Sequence, residues 1–370
     1  MRILALGLIF YFINFSYSCD PTVTTASGSL APSTICSRDL IFEDNFDDKT
    51  INQNKWLFDN TLWGGGNKEF QWYPGYDKDN AFVEDGILRF VPTTTAEKFG
   101  EEFLYTAHVV IPEDECTIGY DNGCEKQGTE DNIINPIRST RMDSRYAFRF
   151  KYGELEIRAK LPTGDWLWPA LWGMPFYDTY KGWPSCGEID LMEGRGNREL
   201  YDGDVNTGIY QIGSTMHFGP DAGHNGWPTA HATISQVPAF SDGFHRYRFR
   251  WTPTDITYFV DNKHINTVKA GEGFWKRGGW EDSGLENPYI NGTVMAPFDH
   301  EFYIIMNLAV GGTAFFPDHW VNKPYPKPWE NSSGTAPKDF WQARHLWEPT
   351  WNRNTNSSHM MIDYVRVWAL

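Results

Sequence analysis

The chain has 370 residues, a formal net charge of −16 and 16% aromatic residues, 17 of them Trp. That acidic balance excludes an ordinary nucleic-acid binder, which needs a basic surplus for its phosphate contacts. The aromatic content excludes a disordered chain and supplies apolar surface for a large core. So many Trp also suit a surface that stacks on the flat apolar faces of sugar rings, with a Trp-rich core as the competing explanation.

In chain order, Arg2 precedes the apolar run Ile3 to Ile13, and Ser16-Tyr17-Ser18 offers small residues where a signal peptidase cuts. The run is about 11 residues long, short of the roughly 20 that a membrane span needs. The expectation is a signal peptide over 1–18, secretion to the extracellular space and no membrane partner. Five cysteines then meet an oxidising compartment. Cys19 with Cys36 and Cys116 with Cys124 are the expected local pairings, although sequence does not establish connectivity. Cys186 is left as a buried free thiol. Residues 19–39 are rich in Ser, Thr and Pro and predict a flexible N-terminal segment. Asn291, Asn331 and Asn356 each begin a glycosylation sequon, as a secreted glycoprotein would carry.

From Leu40 onward the pattern is one of short strands. Residues 86–91 form one, and 152–161 alternate with a period of two. The segments 244–251 and 256–260 follow, joined by a turn. Residues 302–310 are nearly all apolar, as in a strand covered on both sides, and 361–368 close the chain. Gly and Pro punctuate throughout, no segment keeps a helical period over three turns, and no linker divides 40–370. The prediction is an all-β sandwich in one large domain.

The sharpest feature is Glu188-Ile189-Asp190-Leu191-Met192-Glu193, with three carboxylates in six residues. On a strand, 188 and 190 share a face while Ile189 and Leu191 face a core. Glu193 falls on the wrong side unless a bulge at Leu191-Met192 brings it back. Three like charges on one face are costly, and glycoside hydrolysis is a chemistry that uses them. It needs one carboxylate at the anomeric carbon and a second, held protonated, at the leaving oxygen. A calcium site or a solvated acidic strand are the competing explanations.

This run has the E-x-D-x-x-E spacing and resembles the active-site signature of glycoside hydrolase family 16, in its laminarinase-like group. Gly64-Gly65-Gly66-Asn67-Lys68-Glu69-Phe70-Gln71, Ser139-Thr140-Arg141 and Leu167-Trp168-Pro169-Ala170-Leu171-Trp172 precede or flank it in the order that the family shows. Ser214-Thr215-Met216-His217, Asn307-Leu308-Ala309-Val310-Gly311-Gly312 and Ile362-Asp363-Tyr364-Val365 follow.

The resemblance covers roughly 40–370. It implies a concanavalin A-like β-jelly roll with a concave open cleft. It also implies endo-acting, retaining cleavage of laminarin-type β-1,3-glucan through a glycosyl-enzyme intermediate. By position, Glu188 would be the nucleophile, Glu193 the acid/base, and Asp190 the residue that orients and tunes the nucleophile. Trp166, Trp168 and Trp172 would form the sugar platform, Asn67 and Arg141 would bind glucose hydroxyls, and His217 would sit beside the acids.

The chemistry requires no cofactor; the family implies a structural calcium on the convex side, to which Asp363 would contribute. Within the family the likeness is to animal β-1,3-glucanases and to β-glucan recognition proteins of innate immunity. A weakly catalytic or non-catalytic recognition protein is therefore the alternative. Only about 21 residues separate the leader from Leu40, so the extra N-terminal glucan-binding domain of many insect members is not expected, and the chain should act as a monomer. Departures are Gly194 where Ser is common, Thr140 for Ala, and Phe218 where Trp is common, which bears on one subsite.

Overall fold

A computed structural model describes residues 19–352 and 355–370. The signal peptide expected over 1–18 lies outside the described residues.

The period-two segment forms the strand Gly153–Lys160, with Leu155, Ile157 and Ala159 buried and the residues between them less so. It lies between His245–Trp251 and Met360–Trp368 in an eight-stranded sheet, continued by Asp255–Val260 and Lys263–Lys269 on one side. Ile87–Phe90 and Ala81–Glu84 continue it on the other. A nine-stranded sheet faces it. Its main path runs Thr25–Ser27, Arg149–Lys151, Phe302–Val310, Leu167–Pro175, Glu188–Gly194, Gln211–His217 and His231–Ser235. Arg141–Asp143 also pairs with Phe302–Val310. Neighbours in both sheets are antiparallel.

The two sheets meet through aromatic side chains from their inner faces. Phe150 and Phe302 of the nine-stranded sheet approach Trp251 of the other with ring centroids 5.7 and 5.4 Å apart. Edge-to-face rings add to the area they bury. Phe302–Val310 is buried almost throughout. Its inner face meets the other sheet, and its outer face lies beneath the side chains of the cleft. Trp56, Trp166, Trp251, Trp347 and Trp351 are all fully buried, so a core does account for much of the Trp content.

The expected flexible segment is instead tied down. Thr25–Ser27 pairs with Arg149–Lys151 at the sheet edge, and the Leu370 N–H donates to Thr24 Oγ1. The disulfide Cys19–Cys36 closes it, and Cys116–Cys124 forms as well. Backbone pairing and a covalent link hold this segment, and neither leaves a hydrophobic signature in sequence. Cys186 is a buried free thiol whose pKa burial pushes up to about 12. Among the described residues no helix is long and apolar enough to cross a membrane.

Candidate active site

Gly187 delivers the chain into the acidic strand Glu188–Gly194 with φ +85°. A Cβ there would be strained in that conformation and would stand 3.1 Å from Pro297 Cγ. The next strand fixes which way the acids point. Glu188 pairs with His217, Asp190 with Thr215 and Glu193 with Gly213. The register slips between Asp190 and Glu193, so Leu191 and Met192 together oppose Ser214. This is the bulge that the spacing demands, and it sets all three acids on the concave face. Ile189, Leu191 and Met192 are buried.

Each carboxylate has its own surroundings. Glu188 Oε2 accepts from Trp183 Nε1 at 2.9 Å, and its Oε1 lies 3.9 Å from His217 Nε2. Asp190 is 2% exposed, and its Oδ2 is 3.2 Å from the same imidazole nitrogen. Burial, then the charges of Glu188 and Glu193, hold the Asp190 carboxyl well above the usual carboxylate range. Glu193 Oε1 accepts from Trp168 Nε1 at 3.0 Å. Burial and the Glu188 charge raise its pKa, against His217, Trp168 and Arg195. Burial lowers the His217 pKa, but Asp190, Glu188 and Glu193 outweigh it and bring it up to about 9. The cluster therefore sets Glu193, whose pKa is raised, on the same face as a half-buried Glu188 that is held by a different donor, the asymmetry that two-carboxylate chemistry needs.

The three Trp of the expected platform do different things. Trp166 stands at φ +70° just before its strand, 1% exposed, with its ring edge-on to Phe316 and Trp329. It is core rather than cleft, because the positive φ takes it off the alternation that would have aligned it with Trp168. Trp168 is only 7% exposed. Phe315 covers one face at 3.9 Å and 2°, and Arg195 lies on the far side of Phe315. Its role is to hold Glu193. Trp172 is half-buried, donates to Asn307 Oδ1 at 2.7 Å and lies beneath the Arg141 guanidinium at 4.8 Å. Arg141 is in turn paired with Asp59 at 2.8 Å.

Asn67 sits in the glycine-rich loop, its carbonyl held by Thr313 and its amide 3.5 Å from Glu69 Oε1. Phe218 does not bear on a subsite; it is buried against Phe274, Trp280 and Phe298. Asp363 lies on the other sheet, and its carboxylate is taken by Arg158.

Two cleft residues escaped the sequence reading. Trp183 is 46% exposed beside His217, yet it is bonded to Glu188. Its signal was its position five residues ahead of that acid. Glu69 is half-buried, accepts from Gln71 Nε2 at 2.8 Å, and has a pKa raised by burial to about 7. Its signal was a lone acid two residues beyond Asn67, between residues that a loop would bury.

Among the described residues, the only three Asp, Glu, His or Cys side chains close enough to share an ion are Glu188, Asp190 and His217. Calcium takes six to eight oxygens, so two carboxylates and an imidazole do not fit it. Asp363 belongs to no such group, and Arg158 already neutralises it.

The chain matches Glycosyl hydrolases family 16 over residues 105–277. It is 40% identical to a β-1,3-glucan-binding protein of Penaeus monodon, covering 94% of this chain and 96% of that one. It is 32% identical to β-1,3-glucan-binding protein 1 of Galleria mellonella, covering 96% of this chain and 68% of that one. Among solved structures, the laminarinase catalytic domain of Thermotoga maritima superposes with a TM-score of 0.55 at 26% identity. That match covers 90% of this chain and 98% of the laminarinase domain.

Proposed function

The chain belongs to glycosyl hydrolases family 16, and from that premise we propose that it is a secreted, endo-acting β-1,3-glucanase that cleaves laminarin-type glucan with retention. The observation that carries this reading is the intact acid triplet on one face of a bulged strand, with separate partners for each acid. Glu188 attacks the anomeric carbon as the glycosidic C–O bond breaks, and Glu193 gives its proton to the departing oxygen. Water then attacks the glycosyl-enzyme, Glu193 takes a proton from it, and Glu188 leaves as a carboxylate. The Trp183 N–H donates to Glu188 Oε2 at 2.9 Å and holds that carboxylate in place for attack. Asp190, buried between the two with its Oδ2 3.2 Å from His217 Nε2, ties the imidazole to the acid face and orients the cluster.

A second reading is favoured by the relatives' names: a β-1,3-glucan recognition protein with little turnover. The two separate on one assay. Laminarin is incubated with the protein, and new reducing ends are counted for wild type and for Glu188→Gln. The expected result is turnover in the wild type, a loss of about a thousandfold or more in the variant, and retained glucan binding in both. Wild-type binding without any new reducing ends would establish the recognition reading instead.

A further inference from the structure

We propose that Trp63 and Tyr120 form an outer glucan subsite, beyond Asn67 and Arg141, that adds affinity for long chains and takes no part in the chemistry. The proposal rests on the glucan reading above and extends its binding surface.

Tyr120 is 73% exposed, the most open large aromatic of the loop that the Cys116–Cys124 disulfide closes. An exposed ring of this size is unfavourable in water unless something covers it. Asp121 and Asn122 follow with positive φ, a conformation that Asp and Asn tolerate, and the chain turns back there. The Tyr120 ring leans on Trp63 at 6.0 Å and 59°. The loop is fixed to the segment just before Trp63. Thr61 Oγ1 donates to the Ile118 carbonyl at 2.7 Å, and the Leu62 N–H donates to the Gly123 carbonyl at 2.8 Å.

A buried relay of bonds ties the backbone beneath this pair to Trp172. Trp172 bonds Asn307, Asn307 bonds the Tyr73 hydroxyl at 3.3 Å, and Tyr73 pairs with Thr61, two residues before Trp63. Asn67 follows Trp63 by four residues, a span of at most about 14 Å. A neutral polysaccharide leaving Arg141 and Asn67 would thus meet the exposed Tyr120 ring, backed by a half-buried Trp63. A polyanionic chain is disfavoured by the net charge of −16.

The test is calorimetric binding of laminarihexaose and laminaritriose to the intact protein with Glu188→Gln as the parent, alone and combined with Tyr120→Ala or Trp63→Phe. Glu188→Gln removes turnover, so the result holds for an enzyme or a recognition protein. Tyr120→Ala should weaken hexaose binding about three- to tenfold, the range for one aromatic contact. Triose binding and the melting temperature should be unchanged. Trp63→Phe, which keeps a ring beneath Tyr120, should lose less. Unchanged hexaose affinity in Tyr120→Ala, or equal losses on both sugars, would overturn the subsite alone. A Glu188→Gln parent that binds neither sugar would overturn the functional reading and the subsite with it.

Discussion

The hydrogen bond from Trp168 to Glu193 makes a prediction whose sign runs against simple loss of a contact. Trp168→Phe keeps a ring face to face with Phe315 and removes the Nε1–H that Glu193 Oε1 accepts at 3.0 Å. A hydrogen bond to a charged acceptor is worth about 1.5–3 kcal/mol. Each pKa unit corresponds to 1.36 kcal/mol, so the bond holds the carboxylate about one to two units lower than it would otherwise lie. Glu193 is only half-buried, and water replaces part of the lost donor, which leaves a rise of about one unit.

The acid must carry its proton to act, so the alkaline limb of kcat/KM on laminarin should move upward by that amount. The variant should outlast the wild type in relative activity at high pH. The limb belongs to the coupled cluster of Glu188, Asp190 and Glu193 and shifts as one. The assay is kcat/KM from pH 4 to 9, with thermal melts to confirm folding. A limb that stays put or moves down while kcat/KM falls evenly would refute both the donor and the role given to Glu193.

The remaining predictions concern residues whose place the fold decides. Glu69 has its pKa raised from 4.5 to about 7 by burial. Between those values the folded chain holds a proton that the unfolded chain has lost, so stability falls as pH rises through this window. Glu69→Gln removes the slope: it should leave the melting temperature little changed at pH 4.5 and raise it at pH 8. The gain is at most about 3 kcal/mol, and less in proportion to partial exposure. An equal gain at both pH values would sink the argument. Trp166→Ala should cost about 3–5 kcal/mol of stability, as for a large buried side chain, with the laminarin affinity of the folded protein unchanged. Weakened binding without destabilisation would return Trp166 to the cleft.

Much of the site is a consequence of strand arithmetic. Alternation puts Glu188 and Asp190 on one face, and the same arithmetic exposes Glu193 as out of phase. The bulge at Leu191 and Met192 therefore follows from three acids having to work together, and the register shows it. The period-two segment and the nearly all-apolar strand are equally legible in sequence, and the two disulfides form at the expected local pairings, which sequence alone does not establish.

What the chain itself could not decide is which aromatic ring meets sugar. Trp166 and Trp168 lie two residues apart, yet a backbone angle of +70° sends the first into the core. Phe315, nearly 150 positions on, covers the second. Trp183 and Glu69 enter the cleft through bonds to Glu188 and Gln71 that spacing does not announce. A thousandfold effect on chemistry can rest on residues that sequence periodicity identifies. Burial, by contrast, is set by what packs on a side chain from elsewhere, and only the assembled sheets determine that.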